Sequence, residues 1–310
     1  MNVFVTGGAG YIGSILVPRL LRDGHTVTVL DNFMYGQTPL LDHCLSQNLK
    51  IVRGDARNKD LVERLLKEQD VIMPLACLTG APLCARDPWA AREVILDAVQ
   101  LILDLRRPEQ RMIYPTTNSG YGVGEKGKFC DETTPLRPVS LYGRLKVEAE
   151  TALLASGNAI TLRLATAFGM SPRMRLDLLV NDFTYRAVYD RAVILFEASF
   201  NRNFIHVRDI AEAFVFAMDN FEAMKDQAYN VGLSDANLNK QELCDRIKKY
   251  VPEFYYIESE IGQDPDKRDY LVSNEKIEAA GYRPGVSLDE GIQELVKGYT
   301  ILKRNAYANV

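Results

Sequence analysis

Tyr142-Gly143-Arg144-Leu145-Lys146 sets a phenol and an amine four residues apart, a spacing that puts both on one face of a helix, one turn from each other. A free phenol, with a pKa of about 10, is a poor base near neutrality, and a neighbouring ammonium favours the phenolate. The chain's histidines, His25, His43 and His206, are widely separated, so a histidine base is not expected. Tyr-x-x-x-Lys pairs also arise by chance on exposed helices, so the weight comes from a second spacing. Thr6-Gly7-Gly8-Ala9-Gly10-Tyr11-Ile12-Gly13 satisfies G-x-G-x-x-G from Gly8 and G-x-x-G-x-x-G from Gly7. Glycines there allow a tight turn, a close approach of backbone to a pyrophosphate, and a helix N-terminus whose unpaired N–H groups face that charge. Gly7, Gly10, Tyr11, Ile12 and Gly13 are therefore candidate cofactor residues.

Asp31 stands 18 residues after Gly13, where a carboxylate accepts hydrogen bonds from a ribose diol and repels a 2′-phosphate. From Asn32, itself a cofactor candidate, to Gln37 no arginine follows, so NAD is expected rather than NADP. The alternative is a glycine turn with no ligand.

These residues need a scaffold, and the first half of the chain supplies its pattern. Val3 to Thr6, Thr26 to Leu30, Leu49 to Val52, Val71 to Leu75, Arg111 to Tyr114 and Ile160 to Leu164 are short β-rich runs. Between them, Asp60 to Glu68, Trp89 to Leu105 and Tyr142 to Leu154 carry apolar residues at helical spacing. This alternation predicts an α/β class: a Rossmann doubly wound parallel sheet over residues 1–165. Beyond it, residues 166–310 read as a smaller mixed α/β lobe, interleaved so that some segments return to the first. Its elements are helices at Asp177 to Tyr189, Ile210 to Met218, Lys240 to Tyr250 and Leu288 to Leu302, and a strand at Val193 to Phe196. A ligand cleft is expected between the lobes, beyond the carboxyl ends of the strands. Pro18 falls inside the first helix and should kink it.

The whole chain narrows the function classes. Its 310 residues are 47% hydrophobic, enough for a core without staples. The net charge of -4, with no long run of either sign, offers nothing to nucleic acid or membrane. Cys44, Cys77, Cys84, Cys130 and Cys244 are spread out with no C-x-x-C pair, and no histidines stand at metal-ligand spacing. No metal site is expected, and a reducing cytoplasmic compartment fits. Met1 to Gly7 enters a strand at once, so no secretory leader is expected.

With these motifs in order, the chain resembles an extended short-chain dehydrogenase/reductase of the branch acting on nucleotide-activated sugars, over nearly its whole length. The resemblance implies a third catalytic residue in Thr116-Thr117-Asn118-Ser119-Gly120-Tyr121-Gly122, with Thr117 aligned, 25 positions before Tyr142. It implies that Thr117 hydrogen-bonds a substrate alcohol, that Tyr142 removes its proton, and that Lys146 binds the nicotinamide ribose and holds the Tyr142 pKa down. It also implies cofactor contacts from Asp55 and Ala56 on the adenine side and from Leu75, Ala76 and Cys77 under the nicotinamide half. For such small pieces, packing is the equal alternative.

Departures refine the resemblance. Asn118 and Ser119 stand where sugar 4,6-dehydratases carry an Asp-Glu pair, which argues against dehydration by that route. Pro74 replaces a common His, and Thr166 stands where galactose epimerases have a substrate-binding Asn. The segments around Met73 to Ala76, Gly80 to Cys84, Thr117 to Gly122 and Ser171 to Asp177 most resemble GDP-heptose 4-dehydrogenases of bacterial capsule pathways.

A nucleotide diphosphate sugar, the partner this implies, requires cations. By the resemblance Arg202 is the phosphate-binding arginine; Arg173, Arg175 and Arg268 lie in segments expected to border the cleft, with solvated surface arginines as the alternative. Asn181 reads a base or phosphate, or caps a turn; Asn118 and Ser119 complete the candidate substrate set. The leading expectation is oxidation at C4 with NAD. A 4-epimerase would use the same residues, and a non-catalytic NAD-binding sensor is the rival from another class. The family also implies a homodimer in which the Trp89 to Leu105 and Tyr142 to Leu154 helices pair into a four-helix bundle.

Overall fold

The computed structural model describes residues 1–36, 38–259 and 268–302. Gln37, the end of the arginine-free stretch, lies outside them. A parallel sheet of seven strands forms the centre: β1 (Asn2–Thr6), β2 (Thr26–Asp31), β3 (Leu49–Arg53), β4 (Val71–Pro74), β5 (Arg111–Thr117), β6 (Ala159–Leu164) and β7 (Gln227–Val231). Their order is β7-β6-β5-β4-β1-β2-β3. The order reverses between β1 and β4, and a doubly wound sheet binds ligands at that point. The six strands expected from sequence are all present, and β7 is an addition. It comes from the second half of the chain and pairs Tyr229 with Leu162 and Val231 with Leu164.

Alternation along the strands builds a core on each face. Val3 and Val5 point to one side, with Leu16 and Leu20 of α1 (Gly13–Arg22). Phe4 points to the other, with Ile95, Ile102 and Leu153. That period of two follows from the pleat and makes each buried strand apolar on both faces. Helix α1 runs through Pro18 without interruption, and the expected helix carrying the Tyr-Lys pair is α5.

Helices α2 (Lys59–Leu66), α3 (Pro88–Arg92), α4 (Ala98–Leu105) and α5 (Leu141–Ser156), with a short helix at Ala81–Arg86 ahead of α3, belong to the first half. Between α3 and α4 the expected single helix passes through a π-helical turn, Glu93–Asp97. Ser140 caps α5 by accepting the Gly143 N–H at 3.1 Å, which starts the helix just ahead of Tyr142. Gly157, at φ +72°, ends it. A buried ion pair then fastens α5 to the sheet: Arg163 on β6 meets Glu150 at 2.7 Å, and Thr116 on β5 donates to the same carboxylate at 2.7 Å. Such a pair is tolerated inside only because its remaining polar atoms are also bonded; Arg163 meets that condition through Tyr121 Oη at 3.1 Å.

In the second half, helices occupy Leu179–Tyr189, Val207–Asp219, Lys240–Lys248 and Leu288–Gly298, with a short strand at Ala192–Leu195. A three-stranded sheet joins Thr166–Phe168, Arg202–His206 and Asn237–Leu238. Among the described residues no helix is long and apolar enough to cross a membrane.

Candidate active site

Two adjoining cavities, of about 220 and 380 Å³, open at the carboxyl ends of β1, β2 and β4. Together they are in the size range of a cofactor site. The glycine turn forms their shared floor. Gly7 adopts φ +69°, and a Cβ there would stand 2.6 Å from the Ala76 nitrogen. A Cβ on Gly13 would stand 2.6 Å from the Gly8 backbone. Only glycine lets β1, the turn and the loop after β4 approach this closely. The first N–H groups of α1, at Ile12 and Gly13, have no carbonyl one turn earlier within the helix, and Gly10, Tyr11, Ile12 and Gly13 all line the smaller cavity.

The larger cavity is lined by Asp31, Asn32, Asp55, Ala56, Leu75, Ala76 and Cys77. Asp31 is half-buried, and its carboxylate accepts the Ala9 N–H at 3.0 Å and the Phe33 N–H at 2.8 Å. It is thereby fixed across the mouth of the turn, with lone pairs left for a diol. The geometry fits a dinucleotide with an unphosphorylated ribose. Three arginines beyond the Asn32 to Gln37 stretch also reach this cavity, Arg57, Arg86 and Arg173. Arg57 is neutralised by Asp55 at 2.7 Å and by Glu93, while Arg173 stacks over the Tyr35 ring at 3.9 Å.

The smaller cavity brings together Thr117, Ser119, Tyr142, Lys146, Arg173, Arg175 and Arg268. Thr117 comes from the end of β5 and Tyr142 and Lys146 from the first turns of α5. Thr117 Oγ1 accepts the Ser119 N–H at 3.1 Å and donates to Ser119 Oγ at 2.8 Å. Arg268 reaches the same Ser119 hydroxyl. Lys146 is buried, donating to Tyr114 Oη at 3.0 Å and to the Pro115 carbonyl at 2.9 Å.

Burial drives the Tyr142 pKa upward, and the Lys146 ammonium opposes it. The expected effect of Lys146 is therefore present in direction, but it is outweighed and the net shift is upward. The cause is desolvation, which disfavours a phenolate more than one ammonium can offset. The same burial raises the Cys77 thiol, with Lys146 again pulling down.

Some sequence candidates stand behind the walls. Asn181 is fully buried, its Oδ1 accepting the Gly169 N–H at 2.9 Å and its Nδ2 donating to Arg175 O at 2.8 Å and Tyr11 Oη at 3.3 Å. With its amide so engaged, it holds two wall residues and does not reach the cavity itself. Asn118 is buried below the Thr117 turn, and its amide has no hydrogen-bond partner among the described residues. Arg202 is buried, donates to Asn201 O at 2.9 Å and lies 5.9 Å from the centre of the Tyr270 ring, so Tyr270 forms the wall in front of it. Arg175 is partly engaged by Asp177 at 2.5 Å. Tyr35, Thr116 and Tyr270 line the smaller cavity without having been singled out, and Thr166, noted for standing in place of an Asn, lines it as well. The position of Tyr35 four residues after Asp31 was the one available signal, since a loop leaving a switch-point strand borders the ligand.

Residues 3–232 match the NAD dependent epimerase/dehydratase family. The chain is 27% identical to UDP-glucuronic acid decarboxylase 1 of Arabidopsis thaliana, over 96% of this chain and 70% of that protein. It is 26% identical to a putative UDP-glucose 4-epimerase of Methanocaldococcus jannaschii, over 95% of this chain and 97% of that one. Among solved structures it resembles the Thermus thermophilus UDP-glucose 4-epimerase in complex with NAD, with TM-score 0.84 and 27% identity over 97% and 99% of the two chains. With its glycine turn, fixed Asp31 and lined cleft, the chain belongs to the NAD dependent epimerase/dehydratase family and is an NAD-dependent enzyme.

Proposed function

We propose that this enzyme oxidises the C4 hydroxyl of a nucleotide-activated hexose or heptose, GDP-linked by preference, and releases the 4-keto sugar. The observation that carries the reading is the meeting of Thr117, Tyr142 and Lys146 in the cavity that the glycine turn floors. Bound NAD supplies the hydride acceptor. Tyr142 takes the hydroxyl proton, Lys146 stabilises its phenolate, and Thr117 with Ser119 holds the reacting oxygen. A cation bound near Tyr142 further lowers the cost of the phenolate, so the base is strongest when the cofactor is in place. Arg268, Arg175 and Arg173 offer positive charge to the sugar's diphosphate, and among the described residues lining that cavity there is no acid to repel it. In this reading Arg202 and Asn181 act from behind, by backing Tyr270 and Tyr11. The enzyme works as a homodimer in the cytoplasm, joined through α3 to α4 and α5.

A second reading, a nucleotide-sugar 4-epimerase, draws on the similarity to UDP-glucose 4-epimerases. It needs the same proton and hydride transfers, followed by return of the hydride to the opposite face. One experiment separates the two. The dinucleotide released on denaturation is identified, and fresh enzyme is incubated with GDP-, UDP-, CDP- and dTDP-sugars while NADH absorbance is followed. Accumulating NADH with one sugar supports the dehydrogenase, whereas a C4 epimer without NADH supports the epimerase. No reaction with any sugar revives a non-catalytic NAD sensor. Tyr142→Phe should lower turnover by about 100-fold or more, and unchanged turnover would remove Tyr142 from the chemistry.

A further inference from the structure

Lys146 has three N–H donors on a flexible stem, and its electrostatic effect on Tyr142 depends on where the ammonium is held. One N–H is bound by Tyr114 Oη at 3.0 Å and a second by the Pro115 carbonyl at 2.9 Å. The ammonium also lies 4.3 Å from the centre of the Tyr114 ring, at its electron-rich face. Tyr114 is itself buried, at 1% exposure. Its hydroxyl hydrogen goes to the Ile95 carbonyl at 3.4 Å, which leaves its lone pairs to the lysine. Ile95 lies in the π-helical turn Glu93–Asp97. A π turn displaces the regular bonding of a helix and is frequent at functional positions; here one of its carbonyls anchors the chain Ile95 C=O, Tyr114 O–H, Lys146 N–H.

We propose that Tyr114 is a positioning residue for the proton transfer: it fixes the Lys146 ammonium one turn below Tyr142, so that the third N–H stays on the cavity side. This rests on the reading of Tyr142 as base and Lys146 as its cation. A merely structural Tyr114 would fill space and satisfy a buried lysine without influencing Tyr142. Loss of its hydroxyl would remove one of the ammonium's two fixed oxygen acceptors and leave the Pro115 carbonyl and the neighbouring Cys77 thiol to hold it, so that it can swing away from the phenol. Tyr142 would then be harder to ionise.

The test needs no substrate. Full-length protein with carbon-13-labelled tyrosine is saturated with NAD, and the Tyr142 signal, identified by its loss in Tyr142→Phe, is titrated by NMR. Tyr114→Phe, which keeps the ring and removes one oxygen, should raise the Tyr142 midpoint by about one pH unit, a tenfold change in ionisation. With any nucleotide sugar the enzyme accepts, kcat near neutrality should fall about tenfold, recover as pH rises, and leave KM within about twofold. An unmoved midpoint in Tyr114→Phe, with a raised midpoint in Lys146→Met, overturns the role of Tyr114 alone. An unmoved midpoint in Lys146→Met overturns that role together with the Tyr142–Lys146 reading beneath it. Should Tyr114→Phe fail to fold, 3-fluorotyrosine at position 114 keeps the ring and hydroxyl but makes a poorer acceptor. It should move the midpoint upward by a fraction of a unit, and no movement there overturns the proposal.

Discussion

Gly13→Ala should cripple NAD binding while leaving the sheet intact, and the size of the effect follows from the turn. The new Cβ would stand 2.6 Å from Gly8 Cα, C and O, against the 3.4 Å at which ordinary contact begins. Backbone has no rotamer to change, so about 0.8 Å must be found by moving the turn. Gly8 cannot recoil into the core, because a Cβ on it would already stand 2.9 Å from Val29 and 3.3 Å from Val17. The turn must open toward the cavity, into the space a pyrophosphate needs. Overpacking of this kind costs about 1–3 kcal/mol, and the upper part of that range applies where only backbone can yield. At about 1.4 kcal/mol per decade, affinity should fall about 100-fold. The assay is thermal melting with and without NAD. At a NAD concentration about 1,000 times the wild-type Kd, stabilisation is about 4 kcal/mol, and a 100-fold weaker site retains only about 1.4 kcal/mol. For a chain of this length that reduces the NAD-induced rise in Tm from about 6 °C to about 2 °C. A NAD-induced rise equal to wild type, with direct titration giving a Kd within about threefold, would refute the steric argument.

A pH prediction comes from Glu294. Burial pushes its carboxyl up, but His206 Nε2, the Met170 N–H and Arg208 outweigh that and hold it at about 2. His206 is poised to donate because its Nδ1 accepts the Arg208 N–H at 3.3 Å, leaving the proton on Nε2, 2.8 Å from the carboxylate. A depressed folded pKa gives stability that is full above the unfolded carboxylate value and is lost as pH falls toward 2. Glu294→Gln should therefore be less stable than wild type near pH 6, by about 2 kcal/mol after allowance for its partly exposed edge. The gap should close between about pH 5 and pH 2 in urea unfolding; a constant gap would exclude the ion-pair explanation. The dimer can be checked by sedimentation. Trp89 is exposed, and Val94, Leu101, Val147 and Leu154 are only half-buried on the proposed surface. Twice the monomer mass at micromolar concentration, reduced by Leu101→Glu with Val147→Glu, is expected, and a monomeric wild type would rule that surface out.

The residues that were legible in the sequence are those whose chemistry depends on neighbours along the chain. The glycine turn works through spacings of three, Asp31 ends the next strand, and Tyr142 and Lys146 are one helical turn apart. Alternating apolar runs likewise announced six parallel strands, because a strand buried on both faces must be apolar at nearly every position. The seventh strand was not legible. Gln227–Val231 is short and far from its partner in sequence, so only the open edge of β6 selects it. Tertiary packing also decided which candidates line the cavity. Asn181 is taken by Gly169, Tyr11 and Arg175, and Arg202 is screened by Tyr270. The same packing sets Tyr114 against Lys146, joins Arg163 to Glu150 and brings Arg173 over Tyr35. Composition and spacing determine what a side chain can do; which of its polar atoms are already satisfied depends on partners as distant as the 170 positions between Tyr11 and Asn181, and burial, not sequence, sets the strength of each contact.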